Sequence, residues 1–290
     1  MVQKQNKFTC HKKHFIPFIM AGDPNEEITI ALALSLQKYG ATAIELGVPY
    51  SDPLADGPVI QRSSIRAREN GMNIEKAICL GRKLRKNGVK IPIILFTYFN
   101  PVLQLGENRF FTLMQQNEFD GLLIPDLPFE ESYYLREKCL AHHIDLISMV
   151  APTSTNRIEK IAKNAIGFLY CVSSLGVTGE RAKFNEQIKN FIQQVKTYSS
   201  VPVIVGFGIS KREHVETFNQ ICDGVIIGSA IIRKIEELLP LLNHSSLKYE
   251  GVKRFEQFIH ELVRSGERGA DDGGQRTVEN IKAISAGKTD

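Results

Sequence analysis

The sequence predicts an α/β protein folded as a single (β/α)8 TIM barrel with additional short helices. Eight short runs rich in Ile, Val, Leu and Phe recur along the chain, and each is uniformly apolar, as are strands buried on both faces of a parallel sheet. Segments with helical spacing separate these runs, as they do in barrels and in doubly wound sheets. Eight evenly spaced units fill a barrel better than an open sheet, and the 290 residues suffice for one barrel of about 250.

The predicted strands and helices alternate along the chain. The first helix follows Asp23-Pro24-Asn25, and this tripeptide supplies its N-cap. The helix has an acidic first turn and ends at Gly40. The strands are predicted at 15–20, 43–46, 93–96, 121–124, 146–150, 166–172, 203–205 and 224–227. The helices are predicted at 26–40, 73–88, 130–143, 156–165, 185–198, 211–220, 231–243 and 249–265.

Composition argues against several classes of protein. Lys and Arg number 36 and Asp and Glu 32, and the net charge of +4 is too weak a bias to indicate nucleic-acid binding. No apolar run is long enough for a membrane span or a signal peptide. We therefore expect a cytoplasmic protein with reduced thiols, because the five cysteines have no ligand spacing; they are Cys10, Cys79, Cys139, Cys171 and Cys222.

The folded unit is predicted to be shorter than the chain. Residues 1–264 are expected to form the barrel, preceded within that range by a short polar arm at 1–14. Residues 265–290 are rich in glycine and have little apolar periodicity, so we expect a disordered tail or a remnant of cloning, with a divergent extension as a further alternative.

Two carboxylates are candidates for acid–base chemistry. In this fold the chemistry takes place at the carboxyl ends of the strands and in the loops that follow them. Glu45 lies inside an apolar run, where burial would raise its pKa toward neutrality, whereas Asp56 lies in a Pro/Gly/Asp-rich loop and is expected to be better solvated and ionised. The alternatives are a paired core carboxylate for Glu45 and a turn-forming residue for Asp56.

Glycine clusters late in the chain predict a phosphate site. They follow or span the last three strands, in SSLGVTGER, VGFGIS and GVIIGSAII, and a helix starting near Ser229 would direct its positive end at an anion. No Lys lies in a strand run, no His falls at a strand end, and there is neither a metal-ligand cluster nor a GxSxG motif. The residues thus favour carboxylate catalysis on a small phosphorylated substrate, without a metal.

Eight motifs occur in a fixed order along the chain: FIPFIMAGDP, AIELGVPYSDPLADGPVIQ, LFTYFNPV, GLLIPDLP, APTS, YCVSSLGVTG, VGFGIS and GVIIGSAII. Together they resemble the tryptophan synthase α subunit family over about residues 15–264, and ELGVPYSDPLADGP is the most specific of them. The resemblance implies a lyase of L-tryptophan biosynthesis that cleaves indole-3-glycerol phosphate to indole and glyceraldehyde 3-phosphate by a retro-aldol reaction. It also implies a partner, the β subunit, which would carry pyridoxal phosphate and receive indole in an αββα heterotetramer; no cofactor is expected on this chain.

The resemblance also assigns roles to residues. Glu45 matches the general acid/base that protonates indole C3, and Asp56 matches the carboxylate that assists at the indole N–H. The phosphate-contacting positions are matched by Gly179, Gly208, Gly228 and Ser229, with Phe207 beside them. The lining of the indole pocket is matched by Phe18, Ile60, Leu123 and Tyr170, for which a plain core role is the alternative.

Further segments match mobile or interfacial parts of the family. The loops at 54–61 and 176–181 match segments that close over substrate, and Thr178 matches a residue that contacts the catalytic Asp on closure. Segments 100–101 and 126–128 match positions near the β subunit.

Two other functions are compatible with the sequence. One is a catalytically weak or inactive α-type barrel that acts as an allosteric activator of the β subunit. The other is a different phosphate-binding barrel, such as an isomerase or a thiamine-phosphate-type synthase, which would leave the Glu45 and Asp56 segment unexplained.

Overall fold

The computed structural model describes residues 8, 13–172, 181–206 and 208–263, and for 181–185 it describes the backbone alone. Within this part of the chain all strand pairs are parallel. The strands are β1 (His14–Met20), β2 (Ile44–Gly47), β3 (Ile93–Phe96), β4 (Gly121–Leu123), β5 (Asp145–Leu146), β6 (Ser148–Val150), β7 (Leu169–Val172), β8 (Val203–Gly206) and β9 (Gly224–Ile227).

The sheet forms the predicted barrel. Its order is β5-β4-β3-β2-β1-β9-β8-β7-β6, and β5 and β6 are the two halves of the single strand predicted at 146–150. They are separated only by Ile147, whose amide donates a hydrogen bond to the Leu122 carbonyl at 2.9 Å. Because β5 pairs with β4 and β6 pairs with β7, this one stretch of chain joins both edges of the sheet. The TIM-barrel prediction is confirmed, with the fifth strand divided.

Eleven α-helices surround the strands in the described residues. They are α1 (Glu26–Lys38), α2 (Pro58–Glu69), α3 (Ile74–Lys86), α4 (Phe99–Leu105), α5 (Glu107–Gln116), α6 (Tyr133–Ala141), α7 (Ile158–Lys163), α8 (Arg181–Tyr198), α9 (Arg212–Ile221), α10 (Ser229–Leu242) and α11 (Lys248–Val263). Short 3-10 turns lie at Phe129–Glu131 and Pro152–Arg157. All eight predicted helices are present, and α2, α4 and α5 are additional.

Local signals explain where the helices begin. The Asn25 side chain accepts a hydrogen bond from the Ile28 amide at 2.9 Å and so caps α1, as its sequence predicts. Pro58 occupies the first turn of α2, where a missing amide hydrogen costs nothing. The predicted mobile loop at 54–61 is therefore only partly a loop, because its last four residues belong to α2.

The core has two layers. Inside the barrel, side chains from alternate positions of the strands form one cluster that includes Ile16, Ile94, Leu123, Tyr170 and Ile226. Larger clusters fill the space between the strands and the surrounding helices.

The N-terminal arm contributes an apolar side chain to the barrel. Phe8 is 1% exposed and its ring meets that of Phe168 edge to face, with centroids 5.2 Å apart. Since Phe168 immediately precedes β7, this contact lies at the amino end of the strands. Of the predicted arm at 1–14, the structure otherwise describes Lys13 and His14, and His14 already belongs to β1. The other arm residues and the predicted tail at 265–290 lie outside the described residues, so the domain boundaries stay a prediction.

Candidate active site

A cavity of about 330 Å³ opens at the carboxyl ends of the strands. It brings together the end of β2, the loop before α2, the loop after β8 and the first turn of α10. The described lining residues are Phe18, Glu45, Ala55, Asp56, Gly57, Ile60, Phe96, Tyr170, Gly208, Ile209, Ser210, Ile226, Gly228, Ser229 and Arg233. Among the residues that the structure describes, no three His, Cys, Asp or Glu side chains are grouped so as to hold a metal ion.

Glu45 is a buried carboxyl group with an unsatisfied oxygen. It is the second residue of β2, level with Phe18 on β1 and Ile94 on β3, and is 1% exposed. Its Oε1 atom has no hydrogen-bond partner in the described part of the chain. Burial raises the pKa of Glu45 from 4.5 to about 8, so the carboxyl group carries a proton at neutral pH. A core carboxylate fully satisfied by partners would not leave an oxygen free, so the geometry favours the catalytic alternative.

Asp56 is the more solvated of the two carboxyl groups, as the sequence predicts, since Glu45 is 1% exposed. Its side chain is half-buried at the cavity mouth, and burial raises its pKa from 3.8 to about 6, while a hydrogen bond from Tyr98 acts in the opposite direction. The same Tyr98 hydroxyl group accepts a hydrogen bond from the Ala55 amide at 3.0 Å, so the loop is held against it. The predicted order of the two groups holds, since the pKa of Asp56 stays below that of Glu45.

Hydrogen bonds fix the segment that carries Asp56. Tyr50 donates from its amide to Ser64 Oγ at 2.9 Å and accepts from the same hydroxyl at 3.1 Å. Gln61 Nε2 donates to the Asp56 carbonyl at 2.8 Å. Because Ser64 and Gln61 lie on α2, the helix holds both ends of the loop in front of the barrel.

The part of the cavity predicted to bind phosphate is partly described. Gly208 follows β8 with φ of +78°, a conformation that favours glycine, and Gly228 precedes the first residue of α10, Ser229. All three line the cavity, where the first turn of α10 presents backbone N–H groups. The predicted contacts Thr178, Gly179 and Phe207, and the loop 176–180, lie outside the described residues.

The apolar part of the cavity includes most of the predicted indole-binding residues. Phe18, Ile60 and Tyr170 line it, and the Phe18 ring meets the Phe96 ring edge to face with centroids 5.5 Å apart. Leu123 does not line it, because its side chain is fully buried in the cluster inside the barrel. The position of Leu123 agrees with the alternative given above, that it is a core residue and not part of the indole pocket.

The sequence profile described as "Tryptophan synthase alpha chain" matches residues 4–265 of this chain. The chain belongs to the tryptophan synthase alpha chain family. Among alpha chains, it is 61% identical to that of Bacillus licheniformis over 246 residues, which cover 85% of this chain and 92% of that one. It is 60% identical to that of Bacillus subtilis strain 168 over 247 residues, with coverage of 85% and 92%.

Solved alpha chains have the same barrel. The tryptophan synthase subunit alpha of Legionella pneumophila superposes with a TM-score of 0.77 at 33% identity, covering 87% of this chain and 91% of that one. A chain of the tryptophan synthase α2β2 complex of Pyrococcus furiosus superposes with a TM-score of 0.75 at 32% identity, covering 87% and 98%.

Several residues of this alpha chain site were not identified from its sequence, and four of them contribute an aromatic ring, a hydroxyl group or a charge. Phe96, Ser210 and Arg233 line the cavity, and Tyr98 hydrogen-bonds Asp56. Phe96 ends a predicted strand and Ser210 lies within VGFGIS, so their positions at carboxyl ends of strands could have indicated them. Arg233 lies one helical turn after Ser229, a spacing that places both on one helix face.

One histidine departs from the sequence-based expectation. His14 is the first residue of β1, although no histidine was expected at a strand end. It lies at the amino end, opposite the cavity, with Nδ1 3.1 Å from Thr42 Oγ1.

No helix in the described ranges is long and apolar enough to cross a membrane.

Proposed function

We propose that this chain is the lyase subunit of a tryptophan synthase in L-tryptophan biosynthesis and cleaves indole-3-glycerol phosphate to indole and glyceraldehyde 3-phosphate. The observation that carries the proposal is the buried Glu45 carboxyl group, whose Oε1 has no partner among the described residues, in one cavity with Asp56. An acid with a pKa of about 8 and a base with a pKa of about 6 are both in the required state near pH 7.

The two carboxyl groups divide the reaction between them. Glu45 donates its proton to indole C3, and Asp56, ionised, stabilises the positive charge that develops at the indole N–H. The ring is then an indolenine that accepts the electrons of the breaking C–C bond. Glu45 recovers a proton from the side-chain hydroxyl group as that carbon becomes the aldehyde of glyceraldehyde 3-phosphate. Protons and electrons balance, and neither a metal nor an oxidant takes part.

The remaining lining residues position the substrate. Phe18, Phe96 and Tyr170 offer aromatic surface to the indole ring, with Ile60 beside them. The proposed phosphate contacts are Gly208, Gly228 and Ser229 together with Gly179 and Phe207, and Thr178 is proposed to contact Asp56 when the loops close.

The proposed partner is the β subunit, which would carry the pyridoxal phosphate and receive indole within an α2β2 complex. The two segments expected near it, 100–101 and 126–128, lie close together, because the amide of Phe99, the residue before the first segment, donates to both Asp126 carboxylate oxygens at 3.0 and 3.2 Å. Beside them Leu103 is 50% exposed, an apolar side chain suited to an interface. We also propose a cytoplasmic location, since Cys79, Cys139, Cys171 and Cys222 are free thiols.

An assay of indole release tests the proposal. The purified chain is incubated with indole-3-glycerol phosphate, alone and with the β subunit, and indole and glyceraldehyde 3-phosphate are measured in equal amounts. Cleavage by the chain alone that increases with the β subunit supports the lyase. Activation of the β subunit without any cleavage supports instead the catalytically inactive activator.

A further inference from the structure

We propose that Arg233 binds the phosphate group of the substrate and supplies the positive charge that a backbone site lacks. The inference rests on the proposed function, because it assumes a phosphorylated substrate in this cavity. Arg233 lies on α10, four residues after Ser229, and both line the cavity together with Gly208 and Ser210. Positions four apart occupy the same face of a helix, so Arg233 stands next to the N–H groups of the first turn.

A cation in the cavity would offset the negative charge of the substrate phosphate beside the two carboxyl groups. Glu45 and Asp56 are the acidic side chains among the described lining residues, and Arg233 is the basic one. A phosphate dianion that enters beside carboxyl groups is repelled when Asp56 is ionised. Backbone N–H groups supply partial charges only, whereas a guanidinium group carries a full positive charge and forms paired hydrogen bonds with phosphate oxygens.

The acidic residues next to Arg233 on α10 are occupied by other cations. Glu236 accepts from Arg62 Nε at 2.7 Å and from Arg66 at 3.0 Å, and Glu237 accepts from Lys234 at 2.9 Å. These glutamates stand three and four residues after Arg233, where they would otherwise compete for it. The arrangement leaves Arg233, an exposed side chain that lines the cavity, available to an anion that enters there.

Lys234 offers a matched control. It carries the same charge on the next residue of the helix, but it pairs with Glu237 and lies over the Phe258 ring, 5.7 Å from the centroid. R233Q and K234Q therefore change the net charge of the protein equally, and only R233Q changes the cavity. R233K keeps the charge and loses the paired hydrogen bonds.

Steady-state cleavage of two substrates tests the proposal, namely indole-3-glycerol phosphate and indole-3-glycerol without its phosphate. R233Q should raise KM for the phosphorylated substrate by roughly three- to tenfold, with kcat within about twofold, and R233K should restore part of the loss. K234Q should match the wild-type chain on both substrates, and R233Q should match it on indole-3-glycerol. High salt should reduce the difference between R233Q and the wild-type chain.

Two results would overturn the role of Arg233: equal KM values for R233Q and K234Q on the phosphorylated substrate, or an equal loss for R233Q on both substrates. Calorimetric titration with inorganic phosphate separates this proposal from the proposed function. Weaker phosphate binding by R233Q than by K234Q supports Arg233 even if the wild-type chain cleaves neither substrate, and equal binding contradicts it.

Discussion

The Tyr98 hydroxyl group donates a hydrogen bond to the Asp56 carboxylate and accepts one from the Ala55 amide at 3.0 Å. Tyr98 is 2% exposed, and its ring packs against those of Tyr50 and Phe96, with centroids 5.4 and 6.3 Å away. This buried side chain, which lies between β3 and α4, thereby holds the loop that follows β2 and carries Asp56. The hydrogen bond also favours the ionised form of Asp56.

Replacing Tyr98 by Phe should shift the pH dependence of cleavage. The proposed mechanism requires Asp56 ionised and Glu45 protonated, so kcat/KM should be bell-shaped, with limbs near the pKa values of about 6 and about 8. Y98F removes the hydrogen bond that lowers the pKa of Asp56, so the acid limb should move to higher pH while the basic limb stays. Loss of the Ala55 contact should also reduce kcat/KM by about tenfold.

Y50F is the matched control for that experiment. The Tyr50 hydroxyl group accepts from Asn100 Nδ2 at 2.8 Å. Y50F should therefore leave the acid limb of the pH profile at the same pH as in the wild-type chain. An acid limb that moves equally in Y50F and Y98F would contradict the role assigned to Tyr98.

Gly206 should be intolerant of even a methyl group. A Cβ atom at this position would overlap with the Tyr170 hydroxyl group and lie 2.5 Å from Tyr170 Cζ. G206A should therefore push the Tyr170 ring out of place and lower kcat/KM by about tenfold or more. Y170F should give little relief, because the ring itself is in the way. The double variant G206A/Y170A should be as active as Y170A alone, and losses that simply add in the double variant would show that the two residues are not coupled.

A buried ion pair should stabilise the loop after β1. The Asp23 side chain is fully buried, accepts from Ser63 Oγ, and pairs with Arg66 at 2.7 Å. R66M leaves this carboxylate without its cation and should lower the free energy of unfolding by about 3 kcal/mol, measured by urea denaturation. R109M is the control, because its pair with Glu75 is exposed on both sides, and it should cost about 0–1 kcal/mol. Equal costs for the two variants would contradict a special role for the buried pair.

The free energy of unfolding should depend on pH through the raised pKa of Glu45. Its pKa is raised on folding, so its protonated form stabilises the native state below about pH 4.5 and this contribution is lost as the pH rises toward about 8. The difference in free energy of unfolding between E45Q and the wild-type chain should therefore shift in favour of E45Q between pH 5 and pH 8. A difference that is the same at both pH values would mean that Glu45 is not protonated in the native state.

The barrel was predictable because its strands are buried on both faces. Such strands occur in the sequence as continuous apolar runs, and Glu45 is recognisable because it is a carboxylate inside one of these runs. The split at Ile147 was not predictable, because the run 146–150 contains no Gly, Pro, Asn or Asp that would signal a break. Only its pairing with β4 on one side and β7 on the other divides it. Helix α2 was missed because it begins inside a Pro- and Gly-rich segment that resembles a loop.

The environment of the site depends on contacts that are distant in sequence. Ala55 and Tyr98 are 43 residues apart, so neither the burial of Asp56 nor its hydrogen bond could be inferred from the loop alone. Leu123 illustrates the same limit, since its side chain lies inside the barrel below the cavity although its strand ends at the cavity. The sequence indicated the residue types proposed for the chemistry, and the fold decides which of them line the cavity.

Indole release by Glu45→Gln is the most direct test of the proposed function. The variant keeps the size of the side chain and one carbonyl oxygen, but its amide group has no acidic proton to donate to indole C3. We expect cleavage of indole-3-glycerol phosphate to fall by at least about 10²-fold, while the circular dichroism spectrum and the binding of inorganic phosphate stay those of the wild-type chain. Indole release by E45Q at the wild-type rate would show that Glu45 is not the catalytic acid and would contradict the mechanism.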